Sequence, residues 1–587
     1  MRNAPSLPTL VGALEALNGP APALVALDRT LDYAALRAAA RGVATWLVQN
    51  GVSPGARVAI VQRDGPWAAV MLLGASYAHA ALPLNPNLSA EDYAFAITDF
   101  DVAAVLVEQG ALDRTRLDAV TAPILSFTPW SIHATGTDTP VPAFADAPAF
   151  LLHTSGTTAR PKKVVLTQER IFRSANVIAS ALQLGAADRC LTGMPMFHVH
   201  GILNALASTL VSGGSFVHSG PFDTLAFYTH LRALEPTWIT AVPTMYHAIG
   251  ARAELVPPDR KLRFLRSSSA PLSDVLAERL GRLFAVPVVS SYGMTEIDPI
   301  ACVSVGETPP PGAVGRPAGL DVRLAGPGGE EVSGDAMGEV WVRGARVIAA
   351  YEAETEINQA AFSDGWFRTG DLARRDDAGW LYLAGRIKEI INRAGEKIAP
   401  LEIDAVLLRH PEVIEAAAFG TPDAVLGEDI AAAVVLQPGS TLAEHELRAW
   451  LAERLAFHKC PRNLHFVSAL PKGPTGKLLR GALSRTPVPA APQDDTGGDI
   501  GGDGRTGDVA LVCAVWAEVL GLGDVAPDAN FLDLGGSSTA ALDILDRLSE
   551  RLGRDLPVDV LFDSDTPIAF TAALRRLNGK PTRAAPA

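Results

Sequence analysis

Residues 149–163 read AFLLHTSGTTARPKK, an apolar run followed at once by small hydroxyl residues around a glycine and then by two lysines. The run predicts a buried strand. The loop after it offers backbone N–H groups and hydroxyls to phosphate oxygens, and Lys162 adds a mobile cation at its far end. No G-x-x-x-x-G-K-[ST] is present, so this is not a Walker loop. Taken alone, the segment fits a plain surface turn equally well, and its surroundings decide.

Upstream and downstream, β-branched apolar runs such as RVAIV (57–61), AAVLVE (103–108) and PVVSSYG (287–293) alternate with helical stretches such as 170–184. That alternation predicts an α/β domain with parallel or mixed sheets covered by helices. The composition changes at 486–508, TPVPAAPQDDTGGDIGGDGRTGD, which carries too little apolar surface to order itself and reads as a flexible tether. Beyond it Val509, Val512, Val515, Trp516, Val519 and Leu520 recur at near-helical spacing, and a second helix follows Ser538 with Leu542, Leu545 and Leu548 on one face. This module suits a small helical bundle. Between Asp508 and Lys580 it holds twelve acidic residues against six basic ones, which fits either a solvated surface or a partner-docking face.

The whole chain has 587 residues, 48% of them hydrophobic and 19% charged, enough to bury more than one core and to exclude wholesale disorder. Fifty Lys and Arg stand against 64 Asp and Glu, and no basic block offsets the net charge of −14, so an extended nucleic-acid surface is not expected. Cys190, Cys302, Cys460 and Cys513 are far apart with no zinc-like spacing, which predicts a reduced, cytoplasmic protein. The N-terminal MRNAPSLPTL has no continuous apolar core of a signal, and the apolar stretch 68–84 is broken by Gly74, Tyr77, His79 and Pro83, so neither secretion nor a membrane span is expected.

Further motifs follow the first loop in order. They are Tyr292-Gly293-Met294-Thr295-Glu296, Gly338-Glu339 through Arg343-Gly344, Trp366 through Leu372 with Thr369-Gly370-Asp371, Gly385-Arg386-Ile387-Lys388, and Pro471 through Lys477. With TSGTT-x-x-PK they resemble the adenylate-forming superfamily of acyl-CoA synthetases, luciferases and nonribosomal peptide synthetase adenylation domains, as far as about Arg485. The resemblance implies a large α/β N-terminal adenylation domain over 1–385 and a small, mobile α+β C-terminal subdomain over 386–485. A linker over 486–507 and an all-α four-helix carrier domain over 508–580 would follow.

The implied chemistry is attack of a carboxylate on the α-phosphorus of ATP, then transfer of the acyl group to a thiol. Charge growing on the phosphates calls for preorganised cations and N–H donors. By resemblance, Lys477 bridges carboxylate and α-phosphate, Glu296 holds Mg²⁺ and Thr295 meets the α-phosphate. The loop residues Thr154, Ser155, Gly156, Thr157, Thr158 and Lys162 cradle the phosphates. Asp371 accepts from the ribose hydroxyls with Arg386 beside it, Tyr292 lies against adenine, and Lys388 is the hinge. Two departures stand out: Ala159 and Lys163 occupy places where glycine is usual, and Lys163 would either tighten pyrophosphate binding or point to solvent.

Asp533-Leu534-Gly535-Gly536-Ser537-Ser538-Thr539 resembles the L-G-G-x-S attachment site of acyl and peptidyl carrier domains, with Ser538 as the 4'-phosphopantetheine acceptor and Thr539 departing from the usual Leu or Ile. An ordinary helix N-cap is the alternative for that serine.

The acyl pocket is implied by Phe197-His198-Val199-His200-Gly201, Ser268-Ser269-Ala270 and Gly293. No carboxylate follows Phe197, so an α-amino acid would leave its ammonium unpaired, and a small non-amino carboxylic acid is expected. The F-H-V-H-G string is shared by the malonyl-CoA and oxalyl-CoA synthetase subgroups, and HTSGTT, Arg266-Ser267-Ser268-Ser269-Ala270 and residues 385–407 are similar to the oxalyl-CoA-synthetase-like acyl-CoA ligases. Malonate-specific relatives carry arginines where Pro221 and Ser291 stand, which argues against malonate. The expected protein is an AMP-forming acid–thiol ligase that loads its own carrier for natural-product biosynthesis, with a phosphopantetheinyl transferase and a downstream synthase or tailoring enzyme as partners. The alternatives are an acid–CoA ligase that takes CoA as acceptor and releases acyl-CoA, and an inactive scaffold that positions the carrier.

Overall fold

The structure is a computed structural model. It describes residues 9–17, 19–132, 144–154, 161–255, 262–334, 336–352, 354–437, 439–473, 476–484, 506–529, 531, 534, 538–552, 556 and 566–577. Ser155, Gly156, Thr157, Thr158 and Ala159 of the phosphate loop, and the Gly535-Gly536-Ser537 run, lie outside them. The chain divides into two compact units, one of residues 1–388 with 472–479, the other of 389–471 with 480–587.

In the first unit a six-stranded sheet runs Ile124–Phe127, Ala104–Glu108, Arg57–Val61, Ala80–Leu84, Pro148–Thr154, Lys162–Thr167. Its strands are parallel up to the last pair, which is antiparallel and carries the phosphate loop between its members. A nine-stranded sheet has a parallel centre formed by Arg189–Thr192, Ser215–His218, Trp238–Ala241, Phe264–Ser267 and Val288–Met294. The antiparallel strand beside that centre, Ile297–Cys302, turns back after Met294 and so places Glu296 in the bend. An antiparallel five-stranded sheet contains Gly338–Arg343, Trp366–Arg375 and Leu381–Arg386.

The apolar stretch near 68–84 is a helix, Pro66–Ala78, running into the strand Ala80–Leu84. The helix is apolar on every side because from Trp67 to Tyr77 every residue is buried, the pattern of a core helix. Its Gly74 is needed for close approach, since a Cβ there would lie 2.5 Å from that of Val43. No helix among the described residues is long and apolar enough to cross a membrane.

The second unit holds a five-stranded sheet including Val413–Asp423 and Gly427–Leu436, which pack Ile403, Leu407, Leu447 and Leu451 into one core. Arg480 is buried there, ion-paired to Asp404 at 2.7 Å and bonded to the carbonyl of Ala418. Three helices are described towards the C-terminus: Thr506–Leu520, Ser538–Leu552 and Pro567–Leu577. They enclose Trp516, whose ring centroid lies 5.0 Å from that of Phe531. The first helix starts at Thr506, inside the stretch expected to be linker, because Val509, Val512 and Val515 give the chain an apolar face as soon as the Gly/Asp run ends.

Candidate active site

Three groups of side chains gather in the first unit. The first is built on a β-pair: Trp366–Arg375 and Leu381–Arg386 place Asp371 opposite Arg386, whose Nε lies 2.9 Å from Asp371 Oδ1. Tyr292, from the next sheet, donates its hydroxyl to Asp371 Oδ2 at 2.6 Å. Burial first, and then the Asp371 charge, push the Tyr292 hydroxyl well above its ordinary value, so it stays a donor. The Asp371 backbone is fixed by Thr369, which accepts from Asp371 N at 3.1 Å and donates to the carbonyl of Val340 at 2.8 Å. Between them Gly370 has φ of 73°, a turn that a side chain would strain.

The second group surrounds the ends of the phosphate loop. Thr154 and Lys162 face each other across the hairpin, so the loop leaves and re-enters the sheet at one point. The Lys162 ammonium sits 4.4 Å from the centroid of the Tyr351 ring, and the Tyr351 hydroxyl donates to Glu296 Oε1 at 2.6 Å. Burial lowers the Lys162 pKa; Glu296 opposes the shift, and Lys388 and Arg386 add to it. Thr295 is half-buried in the bend beside Glu296, and Lys388 is exposed in a 3₁₀ turn, Ile387–Glu389. Nothing in AAYEAETE marks Tyr351 in the sequence, and its place here comes from packing alone.

Neither expectation for Lys163 holds. Its ammonium is buried and donates to the carbonyl of Asp99 at 2.9 Å, with Asp99 Oδ1 at 3.5 Å. His153, its cross-strand partner, places Nε2 3.0 Å from Asp99 Oδ2. One carboxylate at the end of helix Ala90–Asp99 thus holds both sides of the loop's stem.

The third group holds the residues expected to line an acyl pocket. Val199 leads into a π-helix, His200–Ala207, a form that clusters at functional sites. Gly201 permits the turn, since a Cβ there would stand 2.3 Å from the carbonyl oxygen of Pro195. His200 is fully buried, with Nδ1 3.0 Å from Ser269 Oγ and Nε2 2.7 Å from Thr240 Oγ1. Ser291 meets Ser268 at 3.1 Å, Ala270 is half-buried beside them, and Gly293 leaves room where a Cβ would lie 2.7 Å from Asp298 Oδ1. The inference from the missing arginine at Ser291 needs amending: Arg266, on the neighbouring strand, donates to Ser291 Oγ at 2.7 Å, so a guanidinium does reach that place.

Lys477 lies in the loop 472–479 that belongs to the same unit, closed by Gly473 N donating to the carbonyl of Lys477 at 2.8 Å. Gly476 has φ of 76° and packs so near Thr244 that a Cβ would come within 2.7 Å of its Oγ1. The exposed Lys477 is close enough to act on His198, whose pKa is pushed down to about 4 by burial and then by that cation. His200 is held well below its ordinary value by burial and Arg266. Both imidazoles are therefore neutral near pH 7. Among the described residues no cluster of three His, Cys, Asp or Glu side chains could cage a metal.

Residues 15–352 match the sequence family described as AMP-binding enzyme, 402–477 its C-terminal domain, and 510–574 the phosphopantetheine attachment site. An oxalate–CoA ligase of Arabidopsis thaliana is 37% identical over 473 residues, 77% of this chain and 92% of the relative. A sulfoacetate–CoA ligase of Cupriavidus necator is 34% identical, over 77% and 91%. The ATP-bound crystal structure of MatB from Rhodopseudomonas palustris superposes with a TM-score of 0.77 at 28% identity, over 82% of this chain and 98% of that one.

Proposed function

The chain belongs to the AMP-binding enzymes, and from that premise we propose that it activates a small non-amino carboxylic acid with ATP and passes the acyl group to a thiol carried on its own Ser538. It is an AMP-forming acid–thiol ligase fused to a phosphopantetheine attachment domain. The observation that carries the self-loading reading is the presence in one chain of the three side-chain groups above and of a matched phosphopantetheine attachment domain whose helix Ser538–Leu552 begins at Ser538. The phosphopantetheine supplies the thiol.

The first two groups suit a nucleotide. Asp371, with its charge fixed by Arg386 and Tyr292, accepts from ribose hydroxyls. Lys162 and Lys477 meet the phosphates, Lys477 also reaching the substrate carboxylate, while Thr295 and the loop Thr154 to Thr158 donate. A single carboxylate, Glu296, oriented by Tyr351, fits Mg²⁺ shared with nucleotide phosphates, because that ion is commonly held by one or two carboxylates and the substrate rather than by a protein cage. Neutral His198 and His200 line the acid's place with Val199, Ser268, Ser269, Ala270 and Gly293.

The 1–385 domain would work with a 386–485 subdomain turning about Lys388 between adenylation and thioester formation, and the 486–507 linker would let the 508–580 carrier visit the site. A reduced cytoplasmic setting, a phosphopantetheinyl transferase and a synthase or tailoring enzyme that consumes the acyl-carrier complete the proposal, which places the chain in natural-product biosynthesis. A second reading, release of acyl-CoA, is favoured by the CoA-ligase relatives. Offering the holo-protein limiting acid with ATP, Mg²⁺ and free CoA separates the two. The proposal predicts acyl mass on the protein ahead of acyl-CoA, and the reverse order sinks it.

A further inference from the structure

Arg266 is a fully buried guanidinium on strand Phe264–Ser267, 2% exposed, that none of the roles above employs. It sends two hydrogen bonds to hydroxyls: Nη2 to Ser291 Oγ at 2.7 Å and Nη1 to Thr240 Oγ1 at 3.4 Å. A guanidinium has only donors, so each of these hydroxyls accepts from it and must send its own hydrogen onward. Ser291 donates to Ser268 Oγ at 3.1 Å. Thr240 is wholly buried, and the only acceptor its hydroxyl meets among the described residues is His200 Nε2 at 2.7 Å, so leaving that hydrogen unbonded would cost a buried donor. His200, neutral because burial and Arg266 hold its pKa down, then carries its proton on Nδ1 and donates to Ser269 Oγ at 3.0 Å.

Two relays therefore start at one cation and run the same way, Arg266 to Ser291 to Ser268 and Arg266 to Thr240 to His200 to Ser269. Both end on neighbouring serines whose hydroxyl hydrogens meet no acceptor among the described residues. Ser268 is 2% exposed, so its undelivered donor is buried. Ser269 is held at φ of 72°, a conformation that disfavours any residue with a side chain and persists at sites where the surroundings impose it. Asp298 is the carboxylate that acts most on Arg266, but it accepts from Asn204 Nδ2 at 3.0 Å, and burial holds its carboxyl above the usual range. At Ser268 and Ser269 the wall thus offers donors, while Asp298 Oδ1, beside Gly293, is a buried acceptor with no hydrogen-bond partner among the described residues.

We infer that Arg266 is a specificity-determining positioning residue: by fixing the direction of both relays it makes Ser268 and Ser269 obligatory donors, and so selects a short acid whose tail carries hydrogen-bond-accepting oxygens and no donor. This rests on the proposed acid activation. An apolar tail leaves two donors unmet, and an ammonium tail opposes donor to donor, each a loss of about tenfold or more.

The test is ATP–pyrophosphate exchange by the full-length holo-protein with oxalate, glyoxylate and sulfoacetate against propionate and glycine, for the wild type, Arg266→Met and Ser269→Gly. The wild type is expected to show kcat/KM at least about tenfold higher for an acceptor-tailed acid than for propionate, carried in KM, and both variants to bring that ratio towards one. Ser269→Gly relieves the strained φ and deletes one terminal donor, so it reports even where Arg266→Met does not fold. Two results overturn the inference: a preference for propionate or glycine in the wild type, or an unchanged ratio in Ser269→Gly or folded Arg266→Met. Exchange with none of the acids removes the acid-activation reading itself, and the inference falls with it.

Discussion

Asp371 illustrates how one residue's burial sets its chemistry. It is 6% exposed, and each of its oxygens has a partner, Arg386 on one and Tyr292 on the other. Asp371→Asn keeps the shape but loses the charge that Arg386 pairs with, and charge-assisted bonds of this kind contribute roughly 1.5–3 kcal/mol. ATP-dependent exchange is expected to fall by about tenfold to a hundredfold with the rise mainly in KM for ATP, as steady-state kinetics at varied ATP would read. His198 makes a pH prediction. Unfolded, it takes its proton near 6.5; folded, only near 4, because burial and then Lys477 disfavour the cation. Between those values the unfolded chain binds more protons, so stability falls as pH drops from about 6.5 to about 4. Denaturant midpoints across that window should decline in the wild type and decline less in His198→Asn, while a flat wild-type profile would contradict the assignment.

At the scale of elements, the phosphate loop depends on a helix that shares no motif with it. Asp99 ties His153 and Lys163 on both sides of the stem. Asp99→Ala leaves the buried Lys163 cation with only a backbone carbonyl, and is expected to cost about 2–4 kcal/mol of stability and to raise KM for ATP. Urea titration and exchange kinetics check the two effects separately. The turn into the π-helix gives a second case: Gly201→Ala drives a Cβ against the Pro195 carbonyl and should lower the urea midpoint with a loss of about 1–3 kcal/mol. Strands such as Arg57–Val61 and Ala104–Glu108 were legible because buried parallel strands read as continuous β-branched runs. The stretch at 68–84 was less so, because a fully buried helix has no polar face to set its period, and its Gly and Tyr look like interruptions. Candidate residues inside ordered motifs, such as Tyr292 and Asp371, could be picked from the sequence. Tyr351 and Asp99 could not, since each acts only through a partner that tertiary packing supplies, such as Glu296 for Tyr351 at 2.6 Å, and Arg266 stands in the R-S-S-S-A motif without a role of its own. For Lys163 its place in the chain leaves a phosphate-binding cation and a solvent-facing one both open, and its side chain turns to the helix instead.

For the molecule as a whole, the central claim is that ligase and acceptor work within one chain. Joining two modules in one chain can give an effective concentration on the order of millimolar, so a carrier on the same chain would need little affinity of its own for the site. Self-loading should then be independent of protein concentration, whereas loading between chains should rise with it. The direct measurement is intact-mass spectrometry of the holo-protein with ATP, Mg²⁺ and an accepted acid over a dilution series, beside Ser538→Ala, Lys477→Ala and a mixture of those two variants. An acyl mass shift is expected on the wild type at a rate unaffected by dilution, none on either variant alone, and slow, concentration-dependent loading of the Lys477→Ala chain in the mixture. Acylation that persists in Ser538→Ala, or loading of the mixture as fast as the wild type at every dilution, would contradict it.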